Sequence, residues 1–140
     1  MTGPVILDTG PWVALLNRAD THHEWAKQHW AAIRPPLITC EAVISEAFFL
    51  LRGDVRGRTA LMESICRGVV EVPFRFAGET DAVTRLVRRY SDAPMSFADA
   101  CLVRLAEQFG GSRVFTLDCH FRVYRFHGRQ VIPLINPTDA

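Results

Sequence analysis

Lysine is almost absent from this chain: of 16 basic residues, 15 are arginine, and Lys27 stands alone. An arginine- and alanine-rich composition is what a GC-rich coding sequence produces. The guanidinium fork suits phosphate, but the skew lends that idea supporting weight only. Charge of one sign is lacking too: 15 acids leave a net charge of +1, so no global field draws the molecule to a polyanion. No apolar run approaches the ~18 residues of a membrane span. The opening MTGPVILD has no basic region and reaches an acid by residue 8, which argues against a secretory signal. Cysteine is sparse and scattered (Cys40, Cys66, Cys101, Cys119), with no CxxC pair. Cys66 and Cys101 fall among apolar helical positions, as small core residues do. These absences describe a cytoplasmic chain with reduced thiols, and no linker or repeat divides residues 1–140.

Strands alternate with helices along the chain. VIL ends in Asp8, and Pro11 suits the first turn of the helix that follows. Asp20 or Thr21 is placed to cap a helix from about His22 to Ile33, stopped by Arg34-Pro35-Pro36. A strand at Leu37–Thr39 leads to a helix from Glu41 to Leu51. Its inward arc would be Val43, Ile44, Ala47, Phe48 and Leu51, and Arg52-Gly53 closes it. Further helices are expected over Val55–Cys66, over Glu79–Tyr90 with Ala82, Val83, Leu86 and Val87 inward, and over Ser96–Phe109. VVEV, RVFTLD and a final QVIPL read as strands. The alternation predicts an α/β sandwich around a mostly parallel sheet.

Four acids stand where an apolar segment meets a polar break: Asp8, Glu46, Asp99 and Asp118. Asp8 and Asp118 each end a strand, on the sheet edge where ligands bind in open α/β folds, although either could simply cap a turn. Glu46 sits on the flank of an apolar helix, beside Val43 and Leu50, with no oppositely charged partner four residues away. Asp99 has a strong structural alternative, because SFAD is an S-x-x-D capping box headed by Ser96. Brought together, four carboxylates make a site that hard divalent cations stabilise, and a metal-dependent nuclease is the chemistry that follows.

DTGPWVALLN, the glutamate in ITCEAVISEAFFLL, YSDAPMSFADACLVRLAE and RVFTLDCHFRVYR, in that order, resemble the motifs of PIN domains, and among them the VapC-type ribonucleases. The resemblance implies a Rossmann-like, three-layer α/β/α sandwich with a four- or five-stranded sheet. It also implies an acidic cluster of Asp8, Glu46, Asp99 and Asp118 that binds Mg²⁺ or Mn²⁺ and hydrolyses RNA. Thr116 matches a hydroxyl position near that site, and Asp92 a secondary acid. Three positions depart from the usual pattern: Gly10 replaces Ser or Thr, while Ser96 and His120 stand where relatives often carry acids.

His22-His23 suggests a metal or proton-transfer pair, but packing at a helix start is the simpler assignment. His120 is close enough to Asp118 in sequence to touch substrate. A haloacid-dehalogenase-type phosphotransferase would need a second Asp where Gly10 stands, and no P-loop surrounds Lys27. The remaining alternative is a non-catalytic PIN-fold module that binds RNA or protein. Phe48, Phe49, Leu50 and Trp30 exceed the needs of a small core. They suit a homodimer face or a groove for a small antitoxin, the usual partner implied by the resemblance.

Overall fold

The computed structural model describes residues 3–138. Its centre is a five-stranded, wholly parallel sheet in the order β3-β2-β1-β4-β7. The strands are β1 (Val5–Leu7), β2 (Leu37–Ile38), β3 (Val70–Glu71), β4 (Arg113–Phe115) and β7 (Leu134–Ile135). β1 is short and buried throughout, as a central strand covered on both faces must be. It pairs with β2 through Ile6↔Ile38 and with β4 through Val5↔Arg113 to Leu7↔Phe115. The helices are α1 (Thr9–Leu16), α2 (His23–Ala31), α3 (Glu41–Leu50), α4 (Val55–Cys66), α5 (Thr80–Arg89) and α6 (Phe97–Gln108). Together these elements form the expected α/β/α sandwich.

Local chemistry sets the helix ends. Asp8 caps α1, so that helix begins two residues before Pro11. Asp54 caps α4 by accepting from the Gly57 amide, and the capping box of Ser96 and Asp99 opens α6 with both halves formed. Gly53 and Gly68 leave α3 and α4 at φ +83° and +75°, a region only glycine enters without strain. α6 is the most buried helix, with eight side chains from Ala98 to Ala106 inside, in the same core that holds Trp12, Phe115, Phe121 and Tyr124.

Several expectations are corrected. α2 is N-capped by His22 without a side-chain bond; the Asp20 carboxylate instead accepts from the His22 amide, closing the turn ahead of it. QVIPL is two strands rather than one. Pro133 has no amide to donate, and the chain switches partners there: β6 (Gln130–Val131) closes an antiparallel hairpin with β5 (Arg125–Phe126), while β7 joins the main sheet. Phe48 faces outward, where Arg58 lies over its ring at 4.0 Å. Val87 is likewise exposed, and so is Cys66. Trp30 belongs to the core wall, its ring 6.0 Å from Phe115.

Candidate active site

The sheet order places a crevice between β1 and β4. From β1 the chain leaves towards β2 on one side, whereas β4 returns on the other, so the carboxyl ends of the two strands border a topological switch point. Asp8 follows β1 directly, and its amide continues the ladder by donating to the Phe115 carbonyl at 3.0 Å. Thr116 and Asp118 follow β4. The two strand-end acids therefore emerge side by side.

Hydroxyls join them. Thr116 Oγ1 donates to Asp8 Oδ2 at 2.6 Å and accepts from the Asp118 amide at 2.9 Å. On the other flank Thr9 Oγ1 donates to Glu46 Oε2 at 3.0 Å, and the Thr9 amide donates to Asp8 Oδ1 at 2.7 Å. α3 delivers Glu46 to α1, and α6 delivers Asp99. Asp99 Oδ2 accepts both from the Ser96 amide and from the Tyr124 hydroxyl, each at 3.1 Å. The site grades from a buried floor, Asp8 and Asp99 at 7 % exposure each, through half-buried Asp118 to exposed Glu46.

The electrostatics record the crowding. Burial pushes the Asp8 carboxyl up from 3.8 to about 6, and the charges of Asp99 and Asp118 push the same way. The Thr116 and Thr9 bonds oppose this rise without cancelling it. Burial also raises Asp99, with Asp118 adding to it. Tyr124 is held as a neutral donor, because burial and then the Asp99, Asp118 and Asp8 charges all disfavour the phenolate. Among the described residues, no three His, Cys, Asp or Glu side chains stand close enough together to hold a metal ion as placed. Asp8, Glu46 and Asp99 each accept from a hydroxyl, of Thr116, Thr9 and Tyr124 respectively, and the acids do not form a closed ligand cage. Their donor set nonetheless fits a hard cation: it is all oxygen, partly buried, and among the described residues no Lys or Arg forms an ion pair with it.

Sequence positions that depart from the usual pattern have local causes. A Cβ at Gly10 would lie 3.0 Å from the side chain of Leu117, the residue between Thr116 and Asp118, so a larger residue there would make that side chain give by a few tenths of an ångström. Ser96 is the α6 N-cap, accepting from the Asp99 amide at 3.0 Å. His120 Nδ1 lies 2.8 Å from Asp118 Oδ1, and that same oxygen accepts the His120 amide. Asp92 is exposed in the turn between α5 and α6. The helix-start histidines are structural: His23 Nδ1 meets the Ala14 carbonyl at 2.7 Å, and the His22 ring lies beside Asp20. Tyr124 and Thr9 carried no legible signal of their roles in the sequence, since a lone Tyr just past a short 3-10 helix (Cys119–Arg122) and a Thr at a helix start are common anywhere.

A family model of the PIN domain matches residues 5–127. The chain belongs to the PIN domain family. Among curated PIN relatives, it is 27% identical over 124 residues to the 23S rRNA-specific endonuclease VapC20 of Mycobacterium tuberculosis, covering 87% of this chain and 95% of that protein. It is also 27% identical over 124 residues to the ribonuclease VapC26 of the same organism, covering 86% of this chain and 92% of the relative. The crystal structure of VapC20, a sarcin-ricin loop cleaving toxin, superposes with a TM-score of 0.64 at 29% identity. That match covers 74% of this PIN domain chain and 82% of the other.

Thr116 is the residue whose loss should disturb this PIN site most without removing an acid. Thr116→Val keeps the shape but strips the bond to Asp8 and the acceptor for the Asp118 amide. The expected cost is about 1–3 kcal/mol, the range for leaving buried polar groups unpaired, measured by urea denaturation. The Asp8 titration, followed by carboxyl NMR, should move above about 6, because a bond that lowers it is gone.

Proposed function

We propose that this chain is an endoribonuclease that uses a divalent cation, Mg²⁺ or Mn²⁺, to hydrolyse RNA phosphodiester bonds, as the toxin of a toxin–antitoxin pair. One observation carries the reading: Asp8, Asp99, Asp118 and Glu46 gather around the β1/β4 switch point, and among the described residues the His120 imidazole on Asp118 is the one basic side chain paired with them. The VapC likeness supports RNA as substrate. In this reading the four carboxylates hold the cation. When bound, it supplies charge neutralisation at the scissile phosphate and a water acidified enough to attack at neutral pH.

The chain's own groups then divide the work. Thr116 fixes Asp8 against the start of the Asp118 turn, and Thr9 fixes Glu46 against α1. Tyr124 and the Ser96 amide both engage Asp99 Oδ2, so Oδ1 is the oxygen turned to ligand duty. His23 and His29 are tied to main-chain carbonyls, which leaves His120, beside Asp118, as the imidazole placed at the site's rim.

The exposed face of α3, with Phe49 at 58 % and Leu50 at 54 %, supports a homodimer contact or an antitoxin seat. A cytoplasmic location follows from an RNA substrate. Among the described residues no helix is long and apolar enough to cross a membrane. The test is incubation of the purified protein with ribosomal RNA and Mg²⁺ or Mn²⁺, with chelator and Asp8→Asn controls. Discrete fragments that need both metal and Asp8 are expected. Intact RNA under both metals, with RNA binding retained, would instead make the chain a non-catalytic module.

A further inference from the structure

On the side of α6 away from its acidic start, a cavity of about 640 Å³ opens between α5, α6 and the β5–β6 hairpin. Its walls carry Arg85, Arg88, Arg89, Arg104 and His127, with Glu107 as the acid among them. Glu107 is already committed: Oε1 accepts from Arg104 Nη1 at 3.2 Å and Oε2 from the His127 amide at 2.7 Å. Arg104 also donates to Glu79 at 2.6 Å. The cavity floor is thus a closed ion-pair network, only partly exposed. The guanidiniums of Arg85, Arg88 and Arg89 have no carboxylate partner among the described residues; Asp81, one turn before Arg85, forms no ion pair with it.

The hairpin is shaped to this wall. Gly128 has φ +76°, and a Cβ there would lie 2.6 Å from Arg89 Nη1, so the turn presses directly on that guanidinium. His127 adopts φ 52°, a left-handed backbone unusual outside glycine, and it is this turn that aims the His127 amide at Glu107.

We infer that this cavity is an RNA-backbone anchor, a second site that binds phosphates of the same strand or stem that enters the acidic crevice. The inference rests on the ribonuclease reading for the identity of the polyanion. Three guanidiniums spaced one and three residues apart along a helix present a row of charge about 5–6 Å between turns, which matches repeating phosphates better than a single anion. Arginine forks grip phosphate by paired donors. The lining offers no Phe, Tyr or Trp to stack a base, so the contact follows the backbone and not the sequence. Asp99 and Glu107 are separated by eight residues of α6, roughly 12 Å of helix rise, so the anchor engages RNA a few nucleotides from the scissile bond. It also answers a difficulty: a chain of net charge +1 with an acidic crevice otherwise repels its substrate there.

The test measures binding of a fluorescein-labelled RNA stem-loop by anisotropy across a salt series, in an Asp8→Asn background that prevents turnover. Arg85→Glu with Arg88→Glu should weaken binding at least tenfold and flatten the salt dependence by roughly 1.4 in log–log slope, two contacts at ~0.7 each for single strands. Arg34→Glu with Arg67→Glu, an equal charge change elsewhere, should leave both nearly unchanged, and Arg85→Lys with Arg88→Lys should keep most of the affinity. Unaltered melting checks the fold. Equal loss in the Arg34/Arg67 control, or no loss in the Arg85/Arg88 variant, overturns the anchor. If free ATP binding depends on Arg85 and Arg88 while RNA binding does not, the site belongs to a nucleotide and the anchor falls as well. Wild-type protein that never cleaves RNA, paired with a site-specific binding loss, would sink the nuclease reading and leave the anchor standing.

Discussion

Asp8→Asn should cut metal-dependent RNA cleavage by orders of magnitude and yet make the metal-free protein more stable at neutral pH. Asp8 is 7 % exposed and its carboxyl sits at about 6 in the fold against 3.8 outside it. A raised folded value means the native state binds the proton more tightly. Its contribution is fully present below 3.8 and is lost as pH climbs through about 6. Above that window the buried charge costs about 3 kcal/mol, two units at 1.36 each. Asparagine removes the charge but also weakens the bonds to Thr9 and Thr116, offsetting about 1 kcal/mol. A net gain near 2 kcal/mol is expected at pH 8 in chelator, shrinking to a net loss near pH 4.

Cleavage should fall on the order of 10²- to 10³-fold, the scale for removing one electrostatic contact to the reacting centre. Urea melts of both proteins across pH, beside a cleavage assay, check the pair of effects. A variant as stable as wild type at every pH would show that the crowding of Asp8 by Asp99 and Asp118 is relieved some other way. Added Mg²⁺ should stabilise the wild type and not the variant, since a ligand stabilises only the state that binds it.

Much of the architecture was legible because several helix ends carry their own chemistry. Asp54, Ser96, Gly53 and Gly68 mark their boundaries by side-chain caps or by a positive φ, which are local effects. The misplacements share another cause. Phe48 and Val87 lie at helical spacing with true core residues, but the layer beneath α3 and α5 is narrow. Only Val43 and Ala47, and Val83 and Leu86, are fully inside these helices. Periodicity gives a face and not its width. The split of QVIPL into β6 and β7 depends on which strands lie beside Gln130 and Leu134, a tertiary fact.

The candidate acids stood out in the sequence because Asp8 and Asp118 follow strands, Asp99 lies in the first turn of α6 and Glu46 interrupts an apolar helix. Their wiring did not. Thr116 lies 108 residues from the Asp8 it bonds, and Thr9 lies 37 from Glu46. Such pairs exist only once β1, β4 and α3 have met. The spacing of the acids was also hidden, since it depends on how β1, β4, α3 and α6 pack against one another.

Asp99 is where helix capping and ligation were set against each other, and the geometry separates them by oxygen. The Ser96 amide and the Tyr124 hydroxyl both use Oδ2. Asp99→Asn can present its one carbonyl oxygen to these donors and so keep most of the cap. It sheds a charge that burial and Asp118 disfavour. Its stability should therefore stay level or rise slightly at neutral pH, while metal affinity and cleavage fall at least a hundredfold, on the order seen when a catalytic electrostatic contact is lost. Asp99→Ala removes the cap, at about 1 kcal/mol, and strands the fully buried Tyr124 hydroxyl, a further 1–3 kcal/mol or so. Tyr124→Phe combined with Asp99→Ala should recover that second part, since no hydroxyl is then left unpaired. Thermal melts of the three variants, with and without Mg²⁺, resolve the roles. If Asp99→Asn keeps its Mg²⁺-induced rise in Tm and still cleaves RNA, Asp99 is a helix cap and the metal is held by Asp8, Glu46 and Asp118 alone.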